Sequence, residues 1–350
     1  MPGHRAFRAS IALLAAVVAG SALAACSGST TTKPSTEPVT IRLGYFANVT
    51  HAPALVGIQG GIFKQNFADN VTLETTSFNA GPDVVTALFS DALDASFIGP
   101  GPSISAFQKS NGDAIRIVAG AASGGAFLVV KPDIKKPSDL RGKTISTPQL
   151  GNTQDVALRA WLKTKHLSSD TSGGGDVHIL PQENSLTLST FQSGDIDGAW
   201  VPEPWATRLV KEGGGKILVD EADLWPGGRF VTTNLIVNTS FLNDHPDVVK
   251  QLIEGEIAAI DFIKAEPAQA EEYTATAIQN ATGKPIAADL VTSSFKTVDF
   301  TIDPIPTSFV KDAKDAFALG LIPSADVKGI YDLKTLNEIL KGKGQAAIKS

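Results

Sequence analysis

The stretch "DASFIGPGPSISAFQKSNGDAIRIVAGAA", residues 94–122, holds two short apolar segments on either side of a helix-forming segment. "DASFIG" and "IRIVAGAA" predict β-strands, and "SISAFQKSNG" between them predicts a helix. Strands that alternate with helices are typical of α/β proteins, in which a mostly parallel sheet carries helices on both faces. The stretch therefore predicts an α/β fold.

The same alternation extends outward from this stretch and occurs twice along the chain. The first run begins at "VTIRLGYF" (39–46), and a second run begins at "AFLVVKP" (126–132). A later extended segment, "FVTTNLIVN" (230–238), starts no new unit, and the chain after Pro246 is mostly helical. We predict two lobes joined by two extended crossovers near 121–128 and 229–234. Lobe 1 comprises residues 39–124 and 231–350, and lobe 2 comprises residues 125–230.

The N-terminus is typical of an exported protein. After the basic "HRAFR", residues 11–25 form an uncharged apolar run that is too short for a permanent membrane helix, so residues 1–25 are predicted to be a signal peptide. The run ends in "LAAC", which resembles the lipobox of bacterial lipoproteins, and Cys26 is the only cysteine. This predicts lipidation at Cys26, followed by a flexible tether at 26–38. An ordinary Ala-Ala cleavage site beside an unrelated cysteine is the alternative.

Composition excludes several classes of protein. The chain is 43% hydrophobic and 19% charged, with a formal net charge of −6 and no basic run, which argues against nucleic-acid binding. A single cysteine excludes an internal disulfide and a multi-cysteine metal site. We predict no metal, no cofactor and a monomer whose only link to the membrane is the lipid, on the extracytoplasmic face of the cell membrane.

Polar and glycine-rich loops follow three of the predicted strands. In open α/β sheets, ligands bind beyond the carboxyl ends of the strands, where the following helices expose free N–H groups. The candidate ligand-binding residues in "ANVTHAP", "GPGPS" and "TPQLGNTQD" are Asn48, Thr50, His51, Gly99, Pro100, Ser103, Gly151, Asn152 and Thr153. The alternative readings are that Asn152 and Thr153 only cap their helix and that His51 is structural. "GPGP" lacks the Lys-Ser/Thr that completes a phosphate-binding loop.

Two tryptophans and a glutamate stand close together in "DIDGAWVPEPWA", residues 195–206. Trp200 ends a predicted strand and Trp205 starts a helix, so we expect that they are not both in the core and that at least one forms a wall of the ligand cavity. Glu203 between them is predicted to accept a hydrogen bond or to meet a cation. The alternative is that Glu203 caps the following helix.

Five segments in order carry a family resemblance. They are "GYFANVTHAPALVG", "ALDASFIGPGPS", "DLRGKTISTPQLGNTQD", "LSTFQSGDIDGAWVPEPWA" and "FVTTNLIVN". Their order resembles the periplasmic-type substrate-binding proteins of the nitrate/sulfonate/taurine transporter family, which also includes proteins that bind thiamine-pyrimidine precursors. The resemblance spans 39–267. It implies a two-lobed, type II-like periplasmic-binding-protein fold that closes on a small molecule and delivers it to an ABC permease with its ATPase subunits.

The candidate residues favour one ligand class within that family. Nitrate has no carbon body to pack against tryptophan, and the strand-end loops offer hydroxyls, amides and helix starts but no lysine or arginine. Thr232 and Thr233 add neutral donors, and Arg229 at the second crossover is the nearest cation. This set predicts an organosulfonate, either an alkanesulfonate or taurine. A nitrate-type oxyanion and a pyrimidine precursor are the alternatives, and an enzyme is disfavoured because "GxSxG", "HExxH" and a thiol nucleophile are absent.

Overall fold

Two β-sheets organise residues 37–350, the part of the chain that this computed structural model describes. The predicted signal peptide, the lipidation at Cys26 and all but the last two residues of the predicted tether lie outside the described residues. Among residues 37–350, no helix combines the length and the apolar character needed to cross a membrane.

The strands of the first sheet come from the two ends of the described chain, and those of the second sheet come from its middle. In spatial order, the first sheet contains β11 (Val298–Phe300), β4 (Ile115–Gly124), β10 (Val231–Asn238), β3 (Ala95–Ile98), β1 (Val39–Phe46) and β2 (Val71–Phe78). The second contains β7 (His178–Pro181), β6 (Thr144–Thr147), β8 (Gly198–Pro202), β5 (Ala126–Val130) and β9 (Lys216–Asp220). The chain thus leaves the first sheet after β4 and returns to it at β10, whereas the lobe boundaries themselves stay a prediction.

The prediction that the strands are mostly parallel is wrong. Of the nine strand pairings among the described residues, four are parallel and five are antiparallel. The antiparallel pairings all involve β4, β5 or β10, the strands at which the chain passes from one sheet to the other. β5 and β10 enter their sheets directly from the other sheet with no α-helix before them, whereas a helical crossover is what brings a chain back in the parallel direction.

Helices cover both faces of the first sheet. The helices of the described chain are α1 (Ala52–Gln59), α2 (Ile62–Asn66), α3 (Gly81–Phe89), α4 (Pro100–Lys109), α5 (Thr153–Thr164), α6 (Asn184–Ser193), α7 (Trp205–Lys211), α8 (Thr239–Asp244), α9 (Pro246–Ala265), α10 (Pro267–Thr282), α11 (Ala288–Phe295), α12 (Pro306–Ala318) and α13 (Lys334–Gly342). Short 3₁₀ turns lie at Val49–His51, Pro137–Leu140, Glu221–Leu224 and Pro226–Gly228. Leu235 and Val237 of β10 pack with α9 and α13, and Ile236 between them packs with α3, α4 and α12. Successive side chains of a strand point to opposite faces of the sheet, so neighbouring residues of β10 meet different sets of helices.

The core on the α9 side of the first sheet contains an unusual polar residue. Glu256 of α9 is 0% exposed, and neither of its carboxyl oxygens has a hydrogen-bond partner among the described residues. Burial raises the pKa of Glu256 well above its ordinary value of 4.5, because a charged carboxylate loses its hydration there. The folded protein therefore holds a proton on Glu256 that the unfolded chain releases.

We expect Glu256 to make the fold less stable as the pH rises. Above its ordinary pKa of 4.5, each buried carboxyl that stays protonated only in the folded state lowers the free energy of unfolding by about 1.4 kcal/mol per pH unit. Glu256→Gln removes this dependence, so its unfolding free energy should fall less steeply with pH than that of the wild type. Urea unfolding between about pH 5 and pH 8 measures the two slopes.

Glu254→Gln on the same helix is the matched control, because its side chain is 38% exposed. Equal pH slopes for Glu256→Gln and the wild type would contradict this account of the buried carboxyl.

Candidate ligand-binding site

A cavity with an empty volume of about 320 Å³ lies where strand ends of the two sheets meet helix starts. Phe46 and Pro202 are the last residues of β1 and β8, and Asn79, Gly99 and Pro148 directly follow β2, β3 and β6. This is the position that the strand-end rule predicts for a ligand. The residues that line the cavity are Phe46, Asn48, Thr50, His51, Asn79, Gly99, Pro148, Asn152, Thr153, Gln154, Asn184, Pro202 and Thr232.

Seven of the predicted ligand-binding residues line this cavity, namely Asn48, Thr50, His51, Gly99, Asn152, Thr153 and Thr232. Six other lining residues were not predicted, and two of these are amides with a clear sequence signal. Asn79 comes directly after β2, and Asn184 opens α6 shortly after β7. The strand-end rule applied to β2 and β7 would have found both.

His51 is held as a neutral ring at the cavity wall. The ring lies 4.4 Å from that of Phe46, and its Nδ1 accepts the backbone N–H of Phe46 at 3.3 Å. Burial lowers the pKa of His51 to about 3, so the imidazole is uncharged at neutral pH. Because Nδ1 accepts a hydrogen bond, the proton of the neutral ring belongs on Nε2. His51 therefore offers a ligand one N–H donor and no charge.

The start of α5 combines capping with a free donor. The Asn152 side chain accepts the N–H of Gln154 at 2.9 Å, so its predicted capping role is present, and Asn152 also lines the cavity. No described residue accepts the N–H of Thr153. An unpaired N–H in the first turn of a helix carries partial positive charge and favours an anionic oxygen.

The glycines of "GPGPS" are required by a close approach of two helix starts. The N–H of Gly101 donates to Thr153 Oγ1 at 3.3 Å. A Cβ atom at Gly99 would lie 2.3 Å from Thr153 Oγ1, and one at Gly101 would lie 3.1 Å from Thr153 N. Larger residues at these two positions would push the beginnings of α4 and α5 apart and change the cavity between them.

The cavity is polar but contains no formal charge. None of its lining residues is aspartate, glutamate, lysine or arginine. Asn184 is 5% exposed, and Oδ1 of its amide has no partner among the described residues. A buried amide group without a partner is costly unless a ligand or water pairs with it. The arrangement can hold a small molecule through neutral hydrogen bonds and one helix N-terminus.

The expectation that Trp200 and Trp205 are not both in the core is wrong, and neither of them lines the cavity. Trp200 is fully buried, contacts Trp161 edge-on at 5.9 Å and donates its indole N–H to Glu221 Oε2 at 2.7 Å. Trp205 packs against the opposite face of the second sheet with Val201 and donates its indole N–H to Asn48 Oδ1 at 2.6 Å. A strand end and a helix start both belong to the core here because helices cover both faces of the second sheet.

Glu203 is a structural group away from the cavity. Its carboxyl oxygens accept the backbone N–H of Thr207 at 3.0 Å and the Thr207 hydroxyl at 2.7 Å, which is the capping role of the alternative reading. The hydroxyls of Ser294 and Thr297 lie 3.1 and 3.4 Å from the same oxygens. Burial raises the pKa of Glu203, and these hydrogen bonds oppose the rise. Glu203 does accept hydrogen bonds as predicted, but it does not line the cavity, so the structure does not support the predicted meeting with a cation there.

Two of the predicted residues stabilise the loop beside the cavity. Ser103 donates its hydroxyl to the Gly99 carbonyl at 2.9 Å and accepts the Asn234 amide at 3.3 Å, while Pro100 is the buried first residue of α4. Neither residue lines the cavity. They fix the turn that presents Gly99.

Three further predicted residues also lie outside the cavity lining. Gly151 has a positive φ of 74° and donates its N–H to Asp155 Oδ2 at 3.0 Å. Thr233 is fully buried in β10. The Arg229 side chain is 52% exposed and forms an ion pair with Asp303 at 3.5 Å, so the one cation that the sequence suggested is directed elsewhere.

A sequence model of a family described as NMT1-like matches residues 34–279. The taurine-binding periplasmic protein of Escherichia coli (strain K12) is 30% identical to this chain over 215 residues, which cover 61% of this chain and 64% of that protein. The matched region is thus slightly less than two thirds of that relative.

Solved structures share the fold. The alkanesulfonate-binding protein SsuA from Xanthomonas axonopodis pv. citri, bound to MOPS, superposes with a TM-score of 0.69 at 19% identity, covering 83% of this chain and 96% of that one. The periplasmic nitrate-binding protein NrtA from Synechocystis PCC 6803 gives a TM-score of 0.73 at 13% identity, covering 87% and 89%. These likenesses confirm the predicted periplasmic-binding-protein fold.

Proposed function

Because this chain belongs to the NMT1-like family, we propose that it is the extracytoplasmic solute-binding component of an ABC importer. The relationship to the nitrate/sulfonate/taurine binding proteins that the five motifs predicted is confirmed by the family match and the relatives. The observation that carries the proposal is the uncharged polar cavity, which is lined from segments of both sheets. The protein acts as a monomer without catalytic activity and passes its solute to a permease and its ATPase subunits.

The solute is enclosed by movement of two lobes. Lobe 1 comprises residues 39–124 and 231–350, lobe 2 comprises residues 125–230, and the two crossovers allow closure without unfolding either sheet. Hydrogen bonds between residues of the two lobes lie beside the cavity and support the proposal that the lobes close around the solute. Asn48 accepts the Trp205 indole, and Asn79 donates to Glu183 Oε1 at 2.9 Å.

The solute is a small organosulfonate, either an alkanesulfonate or taurine. A sulfonate keeps its negative charge without exchanging a proton, so the free N–H of Thr153 and Nε2–H of His51 suit it as neutral donors. Phe46, Pro148 and Pro202 provide the apolar contacts that the two tryptophans do not. In taurine, the ammonium group would pair with the unpartnered amide oxygen of Asn184.

Calorimetric titration with ethanesulfonate, taurine, nitrate and an aminopyrimidine tests the solute class. We expect the two sulfonates to bind and Asn184→Ala to weaken taurine about tenfold while leaving ethanesulfonate nearly unchanged. Binding of the pyrimidine alone or of nitrate alone would refute the organosulfonate assignment.

The affinity for ethanesulfonate should not depend on pH in the neutral range. Because the pKa of His51 is about 3, ethanesulfonate affinity should stay constant between about pH 5 and pH 8. An ethanesulfonate affinity that rises below about pH 6.5 would show that His51 becomes charged.

The protein is anchored by lipid on Cys26, the only cysteine of the chain. We expect Cys26→Ser to leave the precursor unprocessed by lipoprotein signal peptidase or to release the protein from the membrane fraction. Because one acyl chain anchors only marginally, mass spectrometry of the mature N-terminus should find more than one chain. Unchanged detergent partitioning of Cys26→Ser would exclude the lipobox and favour ordinary cleavage after Ala25.

A further inference from the structure

A second cavity, with an empty volume of about 710 Å³, lies between α5, the turn from Glu221 to Trp225, and α12. It shares no lining residue with the first cavity. Its lining residues are Val156, Ala157, Ala160, Trp161, Thr164, Glu221, Leu224, Trp225, Lys311, Asp312 and Asp315.

The charges of this lining differ from those of the first cavity. Glu221, Asp312 and Asp315 supply three carboxyl groups, whereas Lys311 supplies one ammonium group. Lys311 Nζ lies 2.7 Å from Asp315 Oδ2 and 4.4 Å from the centre of the Trp225 ring. The wall therefore already places an ammonium group between a carboxylate and an aromatic face, a geometry that stabilises cations.

Asp312 has no such partner. It is 8% exposed, and among residues 37–350 no group donates a hydrogen bond to either of its carboxyl oxygens, of which Oδ2 is enclosed. Glu221 beside it accepts the Trp200 indole N–H at 2.7 Å. Burial raises the pKa of Asp312 well above its ordinary value; the nearby Glu221 adds to the rise, and Lys311 opposes it. A buried carboxyl group with no donor is costly and points to a positively charged partner that completes the site.

The lining favours an organic cation over a metal ion. Within the described residues, no three acidic, histidine or cysteine side chains are grouped so that they could hold a metal. Trp161 and Trp225 contribute aromatic rings to the lining, with Phe230 stacked on Trp225 at 5.5 Å. Val156, Ala157, Ala160 and Leu224 add apolar surface. Carboxylates beside aromatic and aliphatic walls match an ammonium group attached to a small carbon body.

We propose that this cavity is a second ligand site that binds an organic ammonium ion, with the nitrogen paired to Asp312 and the carbon body packed against Trp161 and Trp225. The site goes beyond the proposed transport function, because it takes a ligand of opposite charge at separate residues. The cavity is lined by α5 on one side and by α12 on the other, so residues of both proposed lobes contribute to the site.

Titration of the full chain with butylammonium chloride tests the proposal, with butanol at matched ionic strength as the uncharged probe. We expect butylammonium to bind with a dissociation constant on the order of millimolar and butanol not to bind detectably. The chain has four tryptophans, so their indole N–H signals in an NMR spectrum locate the probe, and those of Trp161 and Trp225 should shift. Asp312→Asn should weaken butylammonium binding about tenfold or more.

Asp312→Asn replaces the buried carboxyl group with a neutral amide of the same size, so it is expected to fold, and its unfolding transition checks this. Asp261→Asn carries the same change of charge at a side chain that is 66% exposed on α9, and its affinity should equal that of the wild type. Binding that is unaffected by Asp312→Asn, equal binding of butanol, or no binding of butylammonium would each overturn the proposal. In the last case, Asp312 would be a buried carboxyl that is simply held protonated.

Discussion

The buried carboxyl group of Glu203 joins the two parts of the chain that form the first cavity. Glu203 directly follows β8 of the second sheet, yet its side chain lies beside Ser294 and Thr297, which belong to the C-terminal part that packs on the first sheet. Its backbone carbonyl also accepts the N–H of Val49 at 3.0 Å. Val49 begins the turn that carries Thr50 and His51, and Pro202 precedes Glu203. The cavity walls on both sides are therefore fixed to one residue that does not line the cavity.

The two cavities lie along the same helix but differ in the charge of their linings. The N-terminus of α5 faces the first cavity, where a free N–H and neutral side chains favour an anion. Residues 156–164 of α5 face the second cavity, where carboxyl groups outnumber the single ammonium group. None of these carboxyl groups lines the first cavity, where negative charge would oppose binding of the proposed anion.

Sequence reasoning succeeded where local chain geometry determines the outcome. Loops after strands in an α/β chain must gather at one edge, so Asn48, His51 and Asn152 could be placed at the cavity without knowledge of side-chain packing. It failed where the burial or the pairing of a side chain depends on segments that are distant in the sequence. The burial of Trp200 depends on Trp161 of α5 and on Glu221, and the burial of Trp205 depends on Asn48 across the cavity edge. Likewise, Arg229 pairs with Asp303, more than 70 residues later, which no local pattern reveals.

The free energy of unfolding of Glu203→Ala, compared with that of Glu212→Ala, tests most directly whether Glu203 holds the two parts together. Glu212 forms an exposed ion pair with Arg208 on α7, so its loss should cost less than about 0.5 kcal/mol. Loss of the Glu203 carboxyl leaves partly buried donors of Thr207 unpaired and breaks the buried contact with Ser294, and we expect the free energy of unfolding in urea to fall by about 3 kcal/mol. A decrease no larger than that of Glu212→Ala would contradict the account.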